Sequence, residues 1–248
     1  MIELEGGCFV SQIEDLKFSR KGNWQEAVVI DGSNGAKALS QYLIKVSKGE
    51  TPIRSYPHCD VVLYVTDGSG EINISGHTFS IKSETGIYVK STEAFSFTNL
   101  NDSPFDILLT VCPECKSPEW HKSMPENFVT SSRKRTVYIN EKIKVAAGDR
   151  FYQLLVGKKM GSKQVTQFIG SIPKSMAPYH YHLYEEAITI LSGEGFLWTE
   201  NSKTPIKKGS MIFLPKKQLH CLECTTDEGL KLMGVFYPAG SPKISYKS

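Results

Sequence analysis

The residues best suited to chemistry stand close together, in the run His180-Tyr181-His182-Leu183-Tyr184-Glu185-Glu186, with His220 about one hairpin later. Imidazoles two apart on an extended chain project from the same face. The three residues between His182 and Glu186 allow a tight turn before a carboxylate follows. His220 arrives on a second segment that begins at Gly209 and passes through Pro215. Three neutral imidazoles and one carboxylate suit one borderline divalent transition metal per chain: Mn, Fe, Co, Ni, Cu or Zn. Such an ion prefers five or six partners. Ligation by His180, His182, Glu186 and His220 would therefore leave positions open to water, a small-molecule substrate or dioxygen.

A single His-x-His on a strand is more often a solvated or hydrogen-bonded pair. Here the pair, the acid and the distant histidine are punctuated by Gly193, Gly209 and Pro215. The pattern resembles the two signature motifs of the cupin superfamily. These read Gly, five residues, His-x-His, three or four, Glu, six, Gly, and then Gly, five, Pro-x-Gly, two, His, three, Asn. His180, His182, Glu186, Gly193, Gly209, Pro215 and His220 match, whereas Lys174, Lys217 and Cys224 stand where Gly, Gly and Asn are usual. These departures are turn and strand-end positions and bear on loop geometry. The resemblance implies an all-β fold of two tandem double-stranded β-helix (jelly-roll) barrels.

The rest of the chain repeats one design. Gln41 to Pro52 lines up with Gln167 to Pro178 at an offset of 126, and Thr66 to Gly70 with Leu191 to Gly195 at 125. Gly86 to Val89 lines up with Gly209 to Ile212 at 123, and Val111 to Pro118 with Val235 to Pro242 at 124. The period is about half the chain, so two copies of a domain are expected and not a solenoid. Each copy reads as short apolar runs broken by Gly, Pro, Asn, Asp and Ser, the pattern of an all-β domain. The expected boundaries are a degenerate N-terminal barrel over 1–115, a linker over 116–135 and a metal-binding barrel over 136–248.

In the first copy the ligand positions are replaced. The Gly86–Gly209 register sets Phe97 opposite His220, and the Gly68–Gly193 register sets Val61 opposite Glu186. His58, with Asp60, offers too little for a tight site, so this barrel is expected to fill with apolar side chains. In the second copy strand parity nominates Leu222 and Cys224 beside His220, and Ile188 and Ile190 beside Glu186. Polar candidates are Gln167 and Gln218 for substrate, and Glu185 and Tyr184 as proton carriers. Trp198 could wall the cavity, although a Trp in a short strand is more often plain core.

Composition narrows the classes. A chain of 248 residues with 40% hydrophobic and 22% charged residues is ordinary globular protein. The net charge of +3 is small, and its one cluster, Arg133-Lys134-Arg135, reads as a solvated hinge, so no nucleic-acid partner is expected. No secretory signal and no bilayer-length apolar run is evident, so a cytoplasmic protein without membrane contact is the expectation, as a homodimer by base rate. The pairs Cys112/Cys115 and Cys221/Cys224 invite a zinc-ribbon reading. Buried thiols are favoured instead, because residues three apart on a strand face opposite ways; a redox or zinc role for Cys112 and Cys115 is the minor alternative. For function, the leading expectation is an oxygenase-type metalloenzyme acting on a small organic molecule with a hydrophobic part. Alternatives are a metal-dependent isomerase, hydrolase or lyase, and a non-catalytic ligand-binding or sensor protein. Fold does not choose among them.

Overall fold

The computed structural model describes residues 1–243 and Tyr246, apart from 116, 132, 133, 141 and 142. Its regular elements are strands joined by turns and 3-10 helices, arranged in antiparallel sheets. Alternating or continuous runs of Val, Ile, Leu and Phe account for this, since β-branched and aromatic side chains fit a pleated, buried surface. The chain divides into two units, one of residues 17–139 with 155–165, the other of residues 1–16, 140–154 and 166–248.

In the first unit a seven-stranded sheet includes Thr85–Val89, Asp60–Asp67, Phe105–Cys112, Ser40–Val46 and Trp24–Ile30 in that spatial order. A six-stranded sheet is built around Ser69–Ile74 and Ala94–Asn99. In the second unit the corresponding neighbours are Ser210–Leu214, Glu185–Ser192, Leu230–Tyr237, Thr166–Ile172 and Arg150–Val156, with a smaller sheet of Lys203–Lys207, Glu194–Trp198 and Cys221–Cys224. Burial repeats along matched strands: Ser40–Val46 and Thr166–Ile172 share one in-out pattern, as do Asp60–Asp67 and Glu185–Ser192. The fold class read from the sequence, all-β with two jelly-roll repeats, is the one found.

The boundaries differ from the expected 1–115, 116–135 and 136–248. Phe9–Gln12 pairs with Ser210–Leu214, so the first residues of the chain complete the sheet of the second unit. Thr136–Tyr138 pairs with Thr85–Val89 and so extends the first. Of the basic triplet, Arg135 is not solvated: it is wholly buried, with Nη2 donating to Glu93 Oε1 at 2.7 Å and to the Val129 carbonyl. Arg133 lies outside the described residues.

The internal register is also corrected. Tyr64 pairs with Gly86 and Thr189 with Met211, so Gly86 matches Met211 and the constant offset here is 125. Gly209 then corresponds to Glu84; both hold positive φ, 89° and 68°, which a glycine search cannot detect. Phe95, not Phe97, stands in the place of His220, because Ile74 faces Phe95 and Ile72 faces Phe97 just as Leu197 faces Leu222. The two-residue error preserved parity, so the apolar filling was read correctly. Val61, Phe95 and Phe97 all sit in the buried core of the first unit. His58 is exposed, and Asp60 accepts from the Tyr88 hydroxyl at 3.0 Å.

Candidate metal centre

Three local features bring the histidines together. His180 and His220 exchange both backbone hydrogen bonds, N to O at 3.0 and 2.9 Å, which sets their side chains beside each other. The Lys217 N–H donates to the His182 carbonyl at 2.8 Å and ties the turn before His220 to the His-x-His segment. Lys217, which stands where the motif has Gly, takes φ 69° to do so. On the other side Gly193 turns the strand bearing Glu186 at φ +85°, where an added Cβ would lie 2.2 Å from the Gly229 carbonyl oxygen. Gly195 is held by space alone, since a Cβ there would meet the Glu223 oxygen.

The result is a cluster of His180, His182 and His220 whose candidate ligand atoms all lie within 4.8 Å of one another. Glu186 adjoins it through His182, Nε2 to Oε2 at 3.5 Å. His180 Nδ1 lies 2.9 Å from the Pro178 carbonyl and His220 Nδ1 2.9 Å from the Gln218 carbonyl. Both rings are thereby fixed as Nδ1–H tautomers with Nε2 available, the usual orientation for a metal-bound imidazole. Burial lowers the pKa of His180 and, further, that of His220, so both rings are neutral donors. Burial alone raises Glu186 to about 8. Its Oε2 is buried and has no hydrogen-bond partner among the described residues. A divalent cation would satisfy that oxygen and reverse the preference for the protonated acid. The donor set fits a borderline divalent ion.

The site opens into a cavity of about 80 Å³ lined by Ile188, Leu222, Phe168, Leu232 and Phe236 among others. Of the residues named from sequence, all four ligand candidates and Ile188 and Leu222 line it; Glu185, Tyr184, Gln167, Trp198 and Gln218 do not. The reasons are geometric. Glu185 and Glu186 are consecutive on one strand and face opposite ways, and Gln167 is related in the same way to Phe168. Tyr184 stacks on the His182 ring at 4.8 Å and 11°, with its hydroxyl donating to the Ser241 carbonyl. It therefore braces the His182 ring and does not line the cavity. Trp198 Nε1 donates to Glu223 Oε2 at 2.7 Å, and Gln218 contributes its carbonyl to His220. Cys224 and Ile190 pack in the core of this unit. Sequence reasoning missed Arg150, Tyr152 and Phe236, which also line the cavity; the first two lie on a strand well before the motif, and Phe236 pairs with Glu186 from the strand Leu230–Tyr237. No cysteine joins a metal-type cluster among the described residues, and none of the described helices is long and apolar enough to cross a membrane.

Residues 170–236 match the cupin domain family. An uncharacterized protein of Aquifex aeolicus is 28% identical over 120 residues, 48% of this chain and 98% of its own. One from Methanocaldococcus jannaschii is 33% identical over 82 residues, 33% of this chain and 63% of its own. Among solved structures, oxalate decarboxylase from Bacillus subtilis superimposes with a TM-score of 0.73 at 13% identity, covering 96% of this chain and 77% of that one. Protein Ylba from E. coli gives 0.72 at 17%, covering 97% and 95%. At such identities the likeness is one of fold. Residues 170–236 thus carry a cupin domain, and the three histidines inside that stretch give it a donor set suited to a metal.

Proposed function

We propose that the protein is a metal-dependent enzyme performing an oxygenase-type reaction on a small organic molecule in its C-terminal barrel. One observation carries this reading: three imidazoles converge on a small cavity whose walls are mainly apolar. A bound redox metal would supply the open positions at which substrate and dioxygen could meet. His180, His182, His220 and Glu186 would hold it. The Pro178 and Gln218 carbonyls keep two of the imidazoles turned toward it, and Tyr184 supports the third. Phe168, Leu232 and Phe236 exclude water from the reacting centre. The isomerase or hydrolase alternative called on Glu185 or Tyr184 to carry protons, and neither lines the cavity.

Metal analysis of purified wild type beside His220→Ala is the direct test, followed by oxygen-electrode screening of small organic substrates. A near-stoichiometric Fe, Mn, Cu or Ni content that is lost in the variant, with substrate-dependent oxygen uptake, supports the proposal. Turnover that proceeds equally without oxygen moves the assignment to an isomerase, hydrolase or lyase. Failure to retain any metal after reconstitution leaves a non-catalytic binding protein.

A further inference from the structure

Resting on that reading and sharpening it, we propose that the cavity selects molecules with a carboxylate on a compact apolar body, and that Arg150 anchors the carboxylate. Arg150 opens the strand Arg150–Val156 and lines the same cavity as the three histidines and Glu186. Its Nε is buried and makes no hydrogen bond among the described residues. The acid paired with it, Asp149, has Oδ1 3.8 Å from that nitrogen, too far for a hydrogen bond, on a side chain that is 59% exposed. The guanidinium fork is therefore not consumed by the fold. In the first unit, which lacks the ligands, the corresponding strand beside Ser40–Val46 is Trp24–Ile30, and it opens with an aromatic residue. That strand carries no cation of its own.

Charge balance points to the same ligand class. Among the described lining residues the charged side chains other than the imidazoles are Arg150 and Glu186. With a divalent ion bound, one carboxylate faces a metal and a guanidinium, an excess of about two positive charges in a mainly apolar space, where charge is weakly screened. An anionic ligand offsets it. A planar carboxylate matches the bidentate geometry of arginine. Phe168, Ile172, Leu232 and Phe236 leave an apolar wall for the remainder of the molecule, whose size the 80 Å³ space limits.

The test is calorimetric titration of full-length protein, Mn(II)-loaded and metal-free, as wild type, Arg150→Gln and Arg150→Lys. The probes are isobutyrate and benzoate, their carboxamides, and inorganic phosphate. Wild type is expected to bind each carboxylate more tightly than its amide by about tenfold or more. Arg150→Gln should abolish that preference while retaining Mn(II) and amide binding, and Arg150→Lys should retain part of it. The inference is overturned if Arg150→Gln binds carboxylates within about twofold of wild type. It is overturned equally if wild type does not distinguish carboxylate from amide, or binds phosphate in preference to both. A protein that never holds Mn(II) or another metal refutes the metalloenzyme reading, while the metal-free titration still decides the role of Arg150.

Discussion

Val10 links the start of the chain to the metal barrel and gives a sharp test of the unit assignment. It is 1% exposed, faces Ile212 across the ladder and belongs to the same buried cluster as Ile188 and Leu222. Val10→Ala removes two buried carbon groups, about 1.6 kcal/mol of transfer free energy at ~0.8 kcal/mol each. Incomplete collapse around the vacated space raises the cost to roughly 2–3 kcal/mol. A chain of two units need not unfold in one step, so local opening should be read by amide hydrogen exchange with peptide resolution. The amides of Glu185–Ser192 and Ser210–Leu214 should exchange roughly 30- to 150-fold faster than in wild type, at about 1.4 kcal/mol per tenfold. The amides of Asp60–Asp67 should be unchanged, and Mn(II) should dissociate faster from the variant. Acceleration below about threefold in the second unit, or acceleration confined to Asp60–Asp67, would refute the pairing of residues 1–16 with the metal barrel.

Three further outcomes follow from the geometry. Tyr184→Phe, which loses only the hydroxyl bond to Ser241, should keep metal content and turnover, whereas Tyr184→Ala removes the ring braced on His182 and should weaken metal retention about tenfold or more, by analogy with other groups that orient metal ligands; equal loss in both would restore a chemical role to the hydroxyl. Arg135→Met strands the buried Glu93 carboxylate and should cost about 3–5 kcal/mol in thermal unfolding. Adding Glu93→Leu should recover only part, because Glu93 also accepts from the Val129 and Lys90 N–H groups; full recovery would show those bonds to be dispensable. Burial raises the thiols of Cys8 and Cys59 to about 12 and that of Cys221 to about 11, so iodoacetamide at neutral pH should label half-buried Cys115 well before these three, as read by peptide mass spectrometry. Early labelling of Cys8 would contradict the closed N-terminal strand.

What could be read in the sequence, and what could not, follows from how each feature is specified. The ligand cluster was legible because its histidines sit two apart on one segment, with the acid and the glycine turns at short, fixed spacings. The barrels were legible because matched strands must bury the same positions. Arg150 was invisible because it reaches the cavity from a strand thirty positions before His180, and spacing carries no information across that gap. The home of residues 8–12 was invisible for a related reason: a short apolar run adds to any sheet edge of the right polarity. Glu185 and Gln167 were a different kind of miss, since parity along the strand already turned them away from Glu186 and Phe168.

The first barrel fills the positions of the histidine cluster with other residues. Phe95 faces Arg54 across the ladder as His220 faces His180, so Arg54 occupies the place of His180, Tyr56 that of His182 and Phe95 that of His220. His58, which with Asp60 offered too little for a tight site, lies beyond Tyr56 on an exposed turn at φ 64°. Arg54 is buried against the Trp24 ring at 3.6 Å, with Nη1 donating to Glu26 Oε2 at 3.0 Å. Tyr56 and Phe95 stack beside it at 6.5 Å. A covalently attached cation, paired with an acid and packed among aromatic rings, thus fills the position that the histidine cluster holds in the second barrel. Such a centre offers no imidazole to a metal, although Arg54 Nε and Nη2 are buried without hydrogen-bond partners among the described residues. The histidine cluster of the second barrel, by contrast, leaves Glu186 Oε2 buried without a hydrogen-bond partner among the described residues, an oxygen that a bound cation would satisfy.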